Sequence, residues 1–367
     1  MKILLLGEYS NVHATLAEGL RMLGHEVTVA SNGDFWKNYP RDISLVRRKG
    51  KLGGIALMLK IYTLLPRFRG FDIVQLINPM FVELKAERIF PIYKYLRRHN
   101  RKIILCAFGM DWYWVHTCLN ERPLKYSDFN IGSKIRTNKD AIKEQHDWIG
   151  TAKEKLNKYI ANDCDGIIAG LYEYWICYSS EFPGKTHFIP FPMKVESQAQ
   201  PQAAQGKLKV FIGINKSRNE YKGTDIMLKA ATDLQKKYPD RMELIKAESV
   251  PYAEYEQLMD GSDAILDQLY SYTPSMNSLL AMSKGIICIG GGEEEGYDII
   301  NEHTLRPIIN VQPTYQSVYH ELEQLLLHPE RTDILKRQSV EYVKRHHDYI
   351  KVAREYESFY INNAGIQ

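Results

Sequence analysis

Apolar residues along this chain keep two rhythms in alternation. Short continuous runs at Lys2–Leu6, His25–Ala30, Asp72–Ile77, Lys102–Ala107, Gly166–Ala169 and His187–Ile189 read as buried strands. Between the first two, Val12, Leu16, Leu20 and Leu23 recur at helical spacing until Gly24, and helical patterns run around residues 85–98 and 141–161. Strands that stay apolar on both faces and are separated by helices predict a parallel sheet covered on both sides.

Residues 196–206, Glu-Ser-Gln-Ala-Gln-Pro-Gln-Ala-Ala-Gln-Gly, break this rhythm with a polar stretch that has no apolar face to bury. The alternation then restarts: strands at Lys209–Ile212, Met242–Ile245, Ala264–Leu266, Gly285–Ile289 and Arg306–Asn310, with helices over Thr224–Lys237, Tyr252–Met259 and Ser275–Lys284. The expected organisation is a Rossmann-like domain over 1–195, a linker over 196–206, a second Rossmann-like domain over 207–340, and a C-terminal helix and tail over 341–367. Two such domains in tandem place a ligand cleft between the carboxyl ends of their sheets. In the last segment Tyr349, Ala353, Tyr356 and Tyr360 form a stripe at helical spacing, which reads as packing. The adjacent His346 and His347 point about 100° apart on a helix and make a poor metal pair.

With 367 residues, 25% of them charged and 44% apolar, the composition is that of a globular chain, neither disordered nor fibrous. No apolar stretch approaches the roughly 18 residues that a spanning helix needs, and the opening apolar run meets Gly7-Glu8 too early for a secretory signal, so a cytoplasmic protein is expected. The five cysteines show no paired spacing and read as free thiols. The net charge of +4 hides an asymmetry, because residues 1–200 hold 29 Lys/Arg against 20 Asp/Glu, and the remainder 19 against 24. Basic clusters at Arg47-Arg48-Lys49 with Lys51, and at Lys60, Arg67 and Arg69, flank an apolar segment at 53–65. That rim suits an anionic membrane surface; the alternative is a core helix with solvated ends. The clusters alternate with aliphatic residues instead of stacking aromatics, so nucleic acid is not an expected partner.

The first turn, Gly7-Glu8-Tyr9-Ser10-Asn11-Val12-His13, has one glycine and lacks the dinucleotide fingerprint. Walker A, H-E-x-x-H and G-x-S-x-G patterns are also missing, which removes the main support for kinase, zinc hydrolase and serine esterase readings. The second domain opens differently. Its strand leads through Gly213, Asn215, Lys216 and Arg218 to Lys222-Gly223-Thr224 at a helix start, where cations and backbone N–H groups are expected to converge on an anion such as a diphosphate; the alternative is a solvated basic loop.

These residues resemble the GT-B glycosyltransferases, specifically the large retaining family 4, whose second domain carries a strand, a Gly, a basic residue and a Lys-Gly pair. The stretches from Ser262 to Gln268 and from Ser278 to Ile289 are similar to that family's aspartate strand and L-E-A-M helix. Phe108-Gly109-Met110-Asp111 resembles its H-G-x-D turn, and Ile189-Pro190-Phe191-Pro192 its interdomain I-P-N-P. The similarity runs along nearly the whole chain. It departs where the family has two glutamates seven residues apart, since those positions are Tyr272 and Leu280, and neither accepts ribose hydroxyls as a carboxylate does. Phe108 also stands where the family has His, leaving His116 and His13 as candidate histidines.

The resemblance implies transfer of a sugar from a UDP- or GDP-linked donor to a glycan or lipid-linked acceptor, with retention and without a metal, in surface polysaccharide or glycolipid assembly. The departing diphosphate gathers charge, and Lys216, Arg218, Lys222 and the helix start at Gly223–Asp225 are the expected stabilisers. Expected catalytic residues are Lys222, Arg218, His116 and Asp111. Expected donor-binding residues are Gly213, Lys216, Arg218, Lys222, Gly223, Tyr272, Ser275 and Asn277, with Glu293 and Glu294 as substitute carboxylates; the alternative for the acidic run is the opening of a helix. Asp267 and Gln268, at a strand end, are within reach of the cleft. Two other functions fit the same residues: a GT-B-shaped non-catalytic protein that docks on membranes or on a partner, and a nucleotide-sugar 2-epimerase.

Overall fold

The apolar runs of the first half fold as adjacent parallel strands. In chain order this half comprises β1 (Lys2–Leu6), α1 (Val12–Met22), β2 (Glu26–Ser31), β3 (Ile43–Ser44), α2 (Gly50–Leu64), β4 (Ile73–Leu76), α3 (Ala86–His99), β5 (Lys102–Ala107), α4 (Trp112–Asn120), a hairpin of β6 (Asn130–Ile131) and β7 (Lys134–Ile135), α5 (Lys139–Trp148), α6 (Ala152–Asp163), β8 (Gly166–Ala169), α7 (Tyr172–Ser179) and β9 (Thr186–Phe188). The second half adds β10 (Leu208–Ile214), α8 (Asn219–Lys222), α9 (Thr224–Lys237), β11 (Met242–Glu248), α10 (Tyr252–Met259), β12 (Ala264–Leu266), α11 (Met276–Ser283), β13 (Ile287–Gly290), α12 (Glu294–Ile299), β14 (Ile309–Asn310), α13 (Tyr315–Leu327), α14 (Glu330–His346) and α15 (Tyr349–Ala364). This computed structural model describes residues 1–195, 206–215 and 219–364. The expected linker lies, apart from Gly206, outside the described residues, as do Lys216 and Arg218.

Seven strands form one parallel sheet in the order β3-β2-β1-β4-β5-β8-β9, and five form a second in the order β11-β10-β12-β13-β14. Strand order reverses between β1 and β4 in the first sheet and between β10 and β12 in the second, which creates one crevice at the carboxyl end of each. One apolar core covers the first sheet and continues through Phe211, Ile265, Tyr272 and Tyr297 into one face of the second. A separate core lies beneath α9 and α13 on the other face.

The chain crosses back at its end. Met193 and His347 pair through the Met193 N–H and the His347 carbonyl (2.7 Å), and α15 then packs along α1. Gly19 permits this approach, since a Cβ there would lie 2.6 Å from the Tyr349 carbonyl oxygen. Ala353, Tyr356 and Tyr360 are buried there, as packing. The crossing begins at His347–Asp348 rather than 341, because α14 runs through to His346 and packs on α11 and β13 of the second domain. The helical pattern at 141–161 is two helices; Gly150, at φ 71°, breaks it and Thr151 caps the next helix by accepting from the Lys153 N–H.

Candidate functional site

Segments at the carboxyl ends of the two sheets touch: the Trp36 and Tyr39 rings, beyond β2, lie 6.2 and 5.9 Å from the Tyr252 ring, beyond β11, so the carboxyl ends of both sheets border one candidate cleft. From the first sheet come the turn Gly7–Ser10 after β1 and Asn78 after β4; from the second come Gly213 in β10 and Asp267-Gln268 after β12. Gly7 is required at its turn by φ 87° and by Ile77, whose side chain would sit 2.2 Å from an added Cβ. Ser10 donates its N–H to Asp34 (2.9 Å), which also receives Lys37 Nζ (2.7 Å). Glu8 is buried and accepts the N–H groups of His13 (3.2 Å) and Ala14 (2.8 Å), and burial pushes its carboxyl up to about 8.

On the opposite wall, Asp267 is the hub of a hydroxyl and amide shelf. It accepts from Ser278 and Ser275, and Ser275 in turn accepts from Gln268 Nε2 (3.1 Å). Asn277 Nδ2 donates to Tyr255 Oη (2.7 Å). Gly213 has a packing reason to lack a side chain, because a Cβ there would lie 2.5 Å from the Tyr255 ring.

Lys222 ends α8 and its carbonyl accepts the Leu269 N–H (3.0 Å), which ties the start of α9 to the end of β12. Gly223 is left-handed (φ 73°) and packs under Leu269 and Tyr270. Asp225 brings a carboxylate to the first turn of α9, beside Lys222 at the end of α8.

Other expected site residues have structural duties. Asp111 is fully buried and caps α4: Oδ1 accepts the Trp114 N–H (2.9 Å) and Oδ2 the Tyr178 hydroxyl (2.6 Å), while burial raises its carboxyl to about 6. His116 stacks on Trp112 (4.3 Å) in a hollow of about 330 Å³ walled by α4, α6 and α7 of the first domain alone. His13 is buried, its Nδ1 2.8 Å from the Gly7 carbonyl and its Nε2 3.1 Å from Gln75; burial lowers it to about 4, which keeps it neutral. A further hollow of about 410 Å³ lies between β9 and α15, also away from the cleft. Among the described residues, no cluster of three His, Cys, Asp or Glu could hold a metal ion.

Tyr272 and Glu293 instead join the domains. Lys125 donates its N–H to Tyr272 Oη (2.6 Å), and the Tyr272 ring stacks on Tyr172. Leu280 packs half-buried against the main core. Glu293 Oε1 accepts from Tyr126 Oη (2.7 Å), Gln312 (2.8 Å) and Asn310 (3.1 Å), and Oε2 receives Lys125 Nζ (3.1 Å). Burial alone would raise this carboxyl, but those donors outweigh it and hold it at about 2. With its oxygens so engaged it is not a free substitute carboxylate, and Glu294 is exposed and paired with Arg306 (2.8 Å).

Lys125 and Tyr126 belong to a strap, residues 121–136, that sequence periodicity does not reveal. Its last residue, Arg136, is buried and donates to the carbonyls of Ser127, Asp128, Glu220 and Tyr221, with its guanidinium 3.5 Å over the Tyr270 ring. Glu173 makes a second bridge, its buried carboxylate accepting from Ser271 (2.7 Å) and Thr273 (2.6 Å). The pair Gly132-Ser133 in the hairpin is a local turn signal for the strap; nothing local marks Glu173.

The chain superposes on solved two-domain proteins along its whole length. Sucrose-phosphate synthase from Thermosynechococcus elongatus matches with a TM-score of 0.66 and 12% identity, covering 100% of both chains. The architecture is GT-B. Anabaena HepE in complex with UDP-glucose matches at 0.61 with 12% identity over 98% of this chain and 99% of that one. UDP-GlcNAc 2-epimerase from Neisseria meningitidis, bound to UDP-GlcNAc, matches at 0.54 with 12% identity over 99% and 100%. No protein-family model and no curated protein matches the sequence.

Proposed function

We propose that this protein is a glycosyltransferase that binds a nucleoside diphosphate sugar in the interdomain cleft and passes the sugar to a glycan or lipid-linked acceptor. The reading is supported by a switch point in each parallel sheet, with Lys222 just before α9 and the Asp267 shelf just after β12 of the second sheet. Structural neighbours solved in complex with UDP-glucose and with UDP-GlcNAc support a donor of this class. In this reading Lys222 offsets charge on the departing diphosphate, aided by Lys216 and Arg218 on sequence grounds. Asp267, Ser275 and Asn277 supply hydrogen-bonding groups to the donor. Catalysis needs no metal, the anomeric configuration is retained, and the acceptor lies against the Gly7–Ser10 turn, in cytoplasmic assembly of a surface polysaccharide or glycolipid.

A 2-epimerase is the second reading, favoured by the full-length match to such an enzyme. Incubation with UDP-GlcNAc, UDP-glucose and GDP-mannose decides between them. A transferase releases nucleoside diphosphate in proportion to added acceptor, whereas an epimerase converts UDP-GlcNAc without any. Lys222→Ala should lower turnover by roughly a hundredfold while leaving the thermal transition in place. Unchanged turnover removes Lys222 from the site, and inertness toward every donor favours the non-catalytic alternative.

A further inference from the structure

Helix α2 is apolar around its circumference and yet stands at the surface. Gly53, Gly54, Leu57 and Ile61 face inward and are buried. Leu52 (80% exposed), Ile55, Leu59 (59%) and Tyr62 project outward at spacings of three, four and three residues, a single stripe about 15 Å long. A helix apolar on all sides is ordinarily enclosed, so the outer stripe of α2 lacks its partner. No helix among the described residues is long and apolar enough to cross a membrane, α2 included.

Charge identifies the occupant. From residue 43 to residue 71 the sequence has Arg47, Arg48, Lys49, Lys51, Lys60, Arg67 and Arg69 and no Asp or Glu. All seven are exposed, and among the described residues none forms an ion pair. A second copy of the chain meeting this face symmetrically would set cations against cations. An anionic surface with an apolar interior satisfies both halves of the pattern.

We infer that the outer face of α2 docks on an anionic lipid bilayer, with Leu52, Ile55, Leu59 and Tyr62 entering the acyl boundary and the flanking cations contacting headgroups. The segment 45–49 leaves the carboxyl end of β3, the same end of the sheet that carries the Gly7–Ser10 turn. Docking therefore brings the first-domain side of the cleft toward the bilayer. Only this last consequence, a lipid-borne acceptor, rests on the proposed transferase function; the docking itself does not.

The test is co-sedimentation of the full chain with phosphatidylcholine vesicles, with and without phosphatidylglycerol, at low and high salt. The protein should pellet with the anionic vesicles, remain in solution with the neutral ones, and dissociate as salt rises. Leu52→Ser with Leu59→Ser should weaken binding by about tenfold or more at an unchanged melting temperature, since both side chains are solvent-exposed. Arg48→Glu with Lys51→Glu should abolish the preference for anionic vesicles. Three results overturn the inference: wild type failing to bind anionic vesicles, binding that ignores the leucine substitutions, or leucine substitutions that dissolve a dimer without changing sedimentation. Since no donor enters the assay, its failure is separable from failure of the transferase reading.

Discussion

Replacing Glu293 by Gln measures how far one buried carboxylate locks the two domains together. Glu293 collects donors from Tyr126 and Lys125 on the strap and from Asn310 and Gln312 on its own domain. A carboxamide accepts on one side only, and its NH2 would face donors. The carboxyl ordinarily titrates at 4.5 and is held at about 2, which corresponds to roughly 3 kcal/mol of stability at neutral pH. Lys125 is mostly exposed, so solvent screens its share, and the expected loss is roughly 2 kcal/mol. Because the folded carboxyl titrates lower than the unfolded one, this stability is fully present above pH 4.5 and fades as pH falls toward 2. Glu302 is also held low, with burial outweighed by His346 and by the N–H groups of Leu305 and Thr304, but it is common to both proteins and cancels in the comparison. Urea unfolding of wild type and Glu293→Gln at pH 7, 5 and 4 should give a difference that is constant at the first two and shrinks at the last. A difference below about 0.5 kcal/mol, or one indifferent to pH, refutes the assignment of Glu293 as a charged interdomain hub.

Arg136→Lys should cost roughly 2 to 3 kcal/mol in urea unfolding, because an ammonium cannot serve four carbonyls and stack on Tyr270 at once; full rescue by Lys would show that charge alone matters. Gly19→Ala should push α15 off α1 and destabilise the protein by roughly 2 kcal/mol, read as faster proteolytic release of the C-terminal segment. Gly213→Ala should displace Tyr255 and break its bond to Asn277, weakening binding of UDP measured by calorimetry more than it lowers the melting temperature.

Two sheets were legible in the sequence because parallel strands are buried on both faces and write continuous apolar runs, as at Lys2–Leu6 and Lys102–Ala107. The edge strand β3 has two residues and leaves no such run. Helices α4 and α7 were hidden by aromatic clusters, Trp112-Tyr113-Trp114 and Tyr172 to Tyr178, which leave too few polar positions to mark an outer face. For the proposed site, charge singles out the loop leading into Lys222, and strand ends single out Asp267. The bridging residues carried no comparable mark, since Tyr126 and Glu293 are 167 positions apart and their pairing is set by how the domains meet. Glu293 and Asp111 illustrate one further limit: a carboxylate beside a glycine turn reads as a ligand until its partners show it capping a helix or joining domains.

The most direct test of the central claim is the melting temperature of wild type and Lys222→Ala in the presence of UDP, ADP and GDP. A cleft built for a nucleoside diphosphate sugar predicts that one nucleotide stabilises wild type, by about 2.7 kcal/mol at a hundred times its dissociation constant, and that Lys222→Ala loses most of this gain. Indifference of wild type to all three nucleotides, or an equal gain in the variant, contradicts it.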